Sequence, residues 1–272
     1  MCKFLKVYTP FTKAGILQTM AYRFNFLFFL IGEMFKCFIM YYVWRAVFES
    51  SNSSTFMGFS MIDMTVYLFI SFLTGYLTYS DGAYAVGEEI RDGSIAMRMI
   101  KPVSFDMTFL FQEIGNRCII VLVVLVPICV GVEIYKFMVT GTVMFNPINF
   151  GLFMVSTLIA YLISFYFNVC YGFMAFFLKN LWGSNILKEV IVDFLSGATI
   201  PLAFMPETLK NVLTFLPFSS LNYTPVMIYM GMYSLQKSLA LIVLQLFWLG
   251  CFVLLSKFIW HSAIKRLAVQ GG

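Results

Sequence analysis

Apolar residues in this chain run in long blocks, unlike the alternation of a half-buried strand or the one-sided stripe of a soluble helix. Six blocks reach or approach the roughly 20 residues that a helix needs to cross about 30 Å of hydrocarbon at 1.5 Å per residue. They fall at Phe24–Val47, Met64–Tyr79, Phe109–Val132, Phe150–Phe177, Asn185–Leu202 and Leu239–Trp260. The second is the shortest and can extend back to Phe59, because Asp63 is the only charge there. The pattern predicts an all-α polytopic membrane protein with six transmembrane helices in one domain over residues 1–272, and no soluble domain fits between the spans. The first block is too long for a cleavable signal peptide, carries Glu33 and Lys36, and lacks a small-residue cleavage site.

Three segments fit neither a span nor an ordinary loop. Residues 1–22 mix Lys3, Lys6 and Lys13 with Phe4, Leu5, Val7, Phe11, Ile16 and Leu17, the make-up of an amphipathic helix lying among lipid headgroups. Pro10 is expected to bend or interrupt it. A surface anchor and a contact for a cytoplasmic partner both remain open. Residues 81–102 predict an amphipathic cytoplasmic helix from about Tyr84, with Val86, Ile90, Gly93 and Met97 on one stripe and Glu88, Glu89, Arg91, Asp92 and Arg98 projecting elsewhere. Lys101-Pro102 disfavours helix at Lys101 and redirects the chain.

Residues 201–235 are too apolar for a free loop and too broken for a span. Pro201, Pro206, Pro217 and Pro225 interrupt a stretch that includes Val212, Leu213, Phe215, Leu216, Phe218, Leu221 and Val226. Such backbone survives at membrane depth only where protein or a wet cavity satisfies its polar groups, so short re-entrant or interfacial helices are expected on the outer side, between spans five and six. Ser50–Thr55 is expected as an exposed loop, and its Asn52-Ser53-Ser54 is a glycosylation sequon with no further support.

Charge orients the bundle. With the amino terminus inside, the inner side receives Lys3, Lys6, Lys13, Arg23, Arg91, Arg98, Lys101, Arg117, Lys179, Lys188, Lys257, Lys265 and Arg266, and the outer side Arg45, Lys136, Lys210 and Lys237. The excess of cations on cytoplasmic loops therefore puts both termini in the cytoplasm. Composition agrees with a membrane setting: 61% of residues are apolar and 11% charged, with a mean hydropathy of +0.87. The net charge of +5 is scattered along one membrane face without a dense cluster. Anionic lipid accounts for it better than nucleic acid does. Cys2, Cys37, Cys118, Cys129, Cys170 and Cys251 have neither disulfide-framework nor metal-ligand spacing and read as packing thiols.

Catalytic chemistry is sparse. A phosphate-cradling G-x-x-x-x-G-K-[ST] loop is missing from the sequence, so ATP hydrolysis is not expected of this chain. His261 is the only histidine, at the end of the last span, where it reads as an interfacial polar tip; neither a His-based metal site nor a Ser-His-Asp set has support. Charges within spans are more informative, since each costs roughly 2.5–3.5 kcal/mol at a helix centre unless partnered or hydrated. Glu33 with Lys36, and Glu113 with Arg117, have the spacing to compensate each other on one helix face. Glu189 and Asp193, four apart, repel unless Lys188 or another helix intervenes. Asp193 and Glu33 are the candidates for lining a hydrophilic pathway.

The run Ile90-Arg91-Asp92-Gly93-Ser94-Ile95-Ala96-Met97-Arg98-Met99-Ile100-Lys101-Pro102-Val103-Ser104 resembles the cytoplasmic segment of bacterial type-two ATP-binding-cassette (ABC) exporter permeases. Members open this segment with Ile-Arg-x-Gly and close it with a Leu-Leu-Arg-Pro-like ending, here Met99-Ile100-Lys101-Pro102. Ser196-Gly197-Ala198-Thr199-Ile200-Pro201-Leu202, with Met205-Pro206, Leu216-Pro217-Phe218 and Pro225, resembles the family's Ser-Gly-x-x-x-Pro-Leu signature and proline-rich outer segment. The chain looks like the branch of uncharacterised six-span permeases often found as nonidentical pairs beside one ATPase.

The resemblance implies that the cytoplasmic helix docks into an ABC ATPase, giving Glu88, Glu89, Arg91, Asp92 and Arg98 a coupling role. It implies that the segment bearing Pro201, Pro206, Pro217 and Pro225 helps close an outer gate. It also implies a second, nonidentical permease chain, with ATP and Mg bound by the ATPase and no cofactor in this chain. The location would be the bacterial cytoplasmic membrane, and the cargo a hydrophobic or amphipathic drug, peptide or lipid. The contrasting expectation is an ion-coupled secondary transporter or channel, with intramembrane carboxylates such as Asp193 as ion sites. An intramembrane lipid enzyme has no recognisable nucleophile or metal set.

Overall fold

The computed structural model describes residues 2–21, 23–51, 55–99, 103–142, 145–178 and 181–270. Helix α1 (Cys2–Ala21) is followed by α2 (Arg23–Ser50), a two-stranded hairpin of β1 (Thr55–Phe56) and β2 (Phe59–Ser60), and α3 (Met61–Thr78). Then come α4 (Gly82–Arg91), α5 (Ile95–Met99), α6 (Phe105–Thr140) and α7 (Pro147–Gly172). Helices α8 (Trp182–Leu195), α9 (Glu207–Phe215), α10 (Tyr223–Tyr229) and α11 (Leu235–Gln270) complete the chain, with single 3-10 turns at Phe173–Phe176 and Leu202–Phe204.

Helix α7 is the hub, packed against α3, α4, α10 and α11, while α3 also meets α2, α6 and α10. Tyr67, Met64 and Ile70 of α3, Phe153 of α7 and Tyr223 of α10 are fully buried at their junction. The start of α3 is fixed by a reciprocal cap: the Ser60 hydroxyl accepts from the Asp63 amide, and the Asp63 carboxylate accepts from the Ser60 amide. Asp63, the charge expected inside or beside the second span, is therefore part of a helix start.

Four described stretches are long and apolar enough to cross a membrane: Met61–Arg91, Val123–Thr140, Pro147–Phe176 and Leu235–Ser262. Helix α2, at 28 residues, has the length but carries Glu33, Lys36, Arg45 and Glu49. The fifth expected span is cut short, since α8 has 14 residues, about 21 Å of helix. It stops because Gly197 adopts φ +81°, the left-handed conformation that ends helices, with the Ala198 amide donating back to the Asp193 carbonyl at 3.1 Å.

Of the two outcomes expected at Pro10, a bend or an interruption, the interruption does not occur, because helix α1 runs through it. Pro10 is exposed, so losing one backbone hydrogen bond there leaves a carbonyl that solvent or headgroups can satisfy. The helix lies along α6 instead of standing alone. Gly15 sits against the backbone of Gln112 and Asn116, and Gly115 against that of Thr12, so a Cβ at either glycine would overlap. Tyr8 stacks on Phe111 with centroids 5.0 Å apart and accepts from the Ser104 amide at 3.2 Å.

Candidate functional site

The cytoplasmic segment folds as an elbow, with Gly93 at φ +80° dividing α4 from α5. That break resets the helical register, so the single expected stripe does not hold. Val86 and Ile95 are fully buried, whereas Gly93 and Met97 are exposed. The Asp92 carboxylate accepts from the Ser94 amide at 2.8 Å, and the Ser94 hydroxyl, then that amide, hold its carboxyl below the usual carboxylate range.

The five expected coupling residues divide into two groups. Glu88 and Arg91 face outward, 3.9 Å apart and more than half exposed, and Asp92 is exposed beside them. Glu89 and Arg98 turn inward and clasp each other, with Arg98 Nε donating to the two Glu89 oxygens at 2.8 and 2.6 Å. Arg98 Nη1 also donates to Thr108 Oγ1 at 2.7 Å, and the guanidinium sits 3.8 Å from the centre of the Phe109 ring. The elbow is thereby fastened to the first turns of α6. Phe105 of the same turns stacks on Trp260 of α11 at 4.0 Å. Lys101-Pro102 and the sequon Asn52-Ser53-Ser54 lie outside the described residues.

Further along α6, Glu113 and Arg117 line a cavity of about 670 Å³ walled by α2, α3, α6 and α8. The expected pairings form: Lys36 lies 3.8 Å from Glu33, and Arg117 lies 3.3 Å from Glu113. Glu113 also accepts from Ser80 Oγ and the Asp81 amide, and Arg117 donates to the Tyr76 carbonyl at 2.9 Å. Glu33, Asp193 and Glu189 all reach this cavity. Lys188 is engaged elsewhere, donating to Asn168 and Asn185. A smaller cavity of about 90 Å³ shares Gly75, Tyr79, Glu189, Asp193, Ala198 and Asn222 with the first.

The proline-rich segment closes one end of this space at Ala198 and Asn222. Several of its polar groups are paired within the protein, as irregular chain at membrane depth requires. Tyr67 Oη donates to the Gly197 carbonyl at 2.7 Å, and the Tyr223 amide to that of Ser196 at 3.0 Å. Asn222 exchanges hydrogen bonds with Ser71, through its Oδ1 at 2.8 Å and Nδ2 at 3.0 Å. Gln245 Nε2 donates to the Ser220 carbonyl at 2.9 Å, while its Oε1 accepts from Ser156 Oγ. Pro201, Pro217 and Pro225 are buried in this knot and Pro206 is exposed.

Asp81, Ser71, Asn222 and Gln245 were not expected at the site. The sequence signal for Gln245 is a lone amide amid apolar neighbours, which in lipid demands a partner.

Long outward faces on α6 (Val126, Val130, Ile134, Phe137) and α11 (Val243, Leu246, Phe247, Leu254, Phe258) are apolar and exposed, while charge gathers inside. That inversion defines a polytopic α-helical membrane protein with charged side chains gathered around a cleft. The chain belongs to the ABC-2 family transporter proteins, whose family model matches residues 34–271. No curated protein matches it. The family makes it an ABC transporter permease.

Proposed function

We propose that this chain is the membrane subunit of an ATP-driven exporter that moves a hydrophobic or amphipathic compound across the cytoplasmic membrane. ATP and Mg are bound by separate ABC ATPase subunits, and a second, nonidentical permease completes the pathway. The family supports an ATPase partner. The observation that carries the reading is mechanical. The exposed Glu88, Arg91 and Asp92 lie on an elbow that the Glu89–Arg98–Thr108 clasp ties to α6, and Glu113 and Arg117 of α6 line the cavity. A soluble motor gripping the elbow would thus move a cavity wall.

ATP biases the bundle only if the motor binds its two conformations with different affinity, and the elbow supplies that contact. The knot around Asn222 and the buried prolines acts as the outer gate, and both termini face the cytoplasm. Double charge reversal, Glu88→Lys with Arg91→Glu, is expected to abolish ATPase co-purification in mild detergent while membrane insertion persists. Full assembly and cargo-linked hydrolysis in that variant would overturn the reading.

The carboxylates Glu189 and Asp193 on the cavity wall favour one competing reading, an ion-coupled transporter. It predicts transport by the purified chain in liposomes under an ion gradient and without ATPase.

A further inference from the structure

The larger cavity is unbalanced in charge. Five carboxylates line it, Glu33, Asp81, Glu113, Glu189 and Asp193, against the cations Lys36 and Arg117. Arg117 is bound to Glu113, while Lys36 lies 3.8 Å from Glu33 and also acts on Asp193 at longer range. Among the described residues, Asp81, Glu189 and Asp193 have no cationic nitrogen within 4 Å. Lys188, next to Glu189 in sequence, spends its ammonium on two amide oxygens and the face of Tyr171.

The same walls carry apolar and aromatic surface from Met40, Leu68, Phe72, Tyr76 and Tyr79. Tyr79 already presents its ring to a cation, with the Arg117 guanidinium 5.7 Å from its centre. The volume, about 670 Å³, lies within the roughly 300–1,000 Å³ of small-molecule sites.

We infer that this cavity binds a cationic amphipathic molecule, its positive charge held between Glu189 and Asp193 and its apolar body against Phe72, Tyr76 and Leu68. The inference rests on the exporter reading in one respect, that the bound molecule is cargo. An anion would meet three carboxylates that lack a cation within 4 Å, and like charges repel. A neutral guest would displace the water that hydrates those carboxylates and put nothing in its place. A cation neutralises them, and aromatic faces add to its attraction. An inorganic ion would leave most of the volume and the apolar walls unused.

The test uses two ions of nearly equal size and apolar surface but opposite charge, tetraphenylphosphonium and tetraphenylborate. Binding is measured to the purified full chain in nanodiscs of zwitterionic lipid, with protein-free discs subtracted. Tetraphenylphosphonium is expected to bind at least about tenfold more tightly than tetraphenylborate. The double variant Glu189→Gln, Asp193→Asn should lose roughly tenfold in phosphonium affinity, and Glu189→Asp, Asp193→Glu should restore most of it. Equal binding of the two ions, or a double variant that binds the phosphonium like the parent, overturns the inference.

The same preparations are assayed for ATPase co-purification, which separates this inference from the one beneath it. Recovered ATPase without charge selectivity removes the cationic guest and leaves the exporter standing. Charge selectivity in a chain that never recruits an ATPase leaves the cation site standing and removes the exporter.

Discussion

Arg98→Met removes the centre of the elbow clasp while keeping most of its apolar volume. The side chain makes four hydrogen bonds, three to Glu89 and one to Thr108, and stacks on Phe109, with the Arg98 and Glu89 side chains only 16% and 20% exposed. Removing one partner of a fully buried ion pair costs about 3–5 kcal/mol, because the other charge is stranded. The residual exposure of this pair lets water recover part of that, which leaves about 2–3 kcal/mol, a roughly 30- to 150-fold shift toward a detached elbow.

Hydrogen exchange across residues 82–99 in nanodiscs reads the shift directly, as faster exchange in α4 and α5 with α7 unchanged. In the assembled transporter, ATP hydrolysis should continue but lose its response to cargo. Adding Glu89→Gln to Arg98→Met should cost little more, since the stranded carboxylate is then gone. Arg91→Met provides the contrast. Its contact with Glu88 is long and exposed, so exchange should be unchanged while ATPase binding weakens. Unaltered exchange and intact coupling in Arg98→Met would refute the claim that the clasp carries force from elbow to α6.

Three further outcomes are expected. Gly115→Val should push α1 off α6, since a Cβ there overlaps the Thr12 backbone; the overpacking costs about 1–3 kcal/mol, and a lowered thermal midpoint with loss of an engineered disulfide between the helices would register it, whereas an unchanged disulfide yield would contradict it. Gln245→Leu strands the Ser156 hydroxyl and the Ser220 carbonyl and should destabilise the folded protein in detergent by about 0.6–2 kcal/mol, with faster exchange confined to residues 216–230; uniform exchange would argue against a local knot. Met97→Cys, in a background with Cys2→Ser and Cys118→Ser, should react with a membrane-impermeant maleimide in inverted vesicles and not in right-side-out ones, and the reverse pattern would turn the topology over.

Long apolar blocks made the helices legible, because a bilayer imposes length and polarity on each span separately. Their ends were less so. The stop of α8 depends on Gly197 at a left-handed φ, and the elbow's register depends on Gly93 in the same way; a glycine in sequence does not declare its φ. Same-helix pairs such as Glu113 with Arg117 followed from spacing alone. The Arg98 contacts to Thr108 and Phe109, and the bond between Asn222 and Ser71 across α3 and α10, are tertiary and had no local signature. For that reason five elbow charges looked equivalent in sequence when two of them are structural fasteners. Asp193 and Glu33 were legible as pathway candidates because charge in a span needs water or a partner. Asp81 was not, lying in the turn just beyond α3.

The account stands on a soluble ATP-hydrolysing partner gripping the elbow. A photo-crosslinking residue at position 91, placed in the full chain and irradiated in native membranes, tests this most directly. A covalent adduct with an ABC ATPase subunit, lost when Glu88→Lys is added, is the predicted result. Adducts to lipid alone, or labelling of the same position from the outer face, would contradict it.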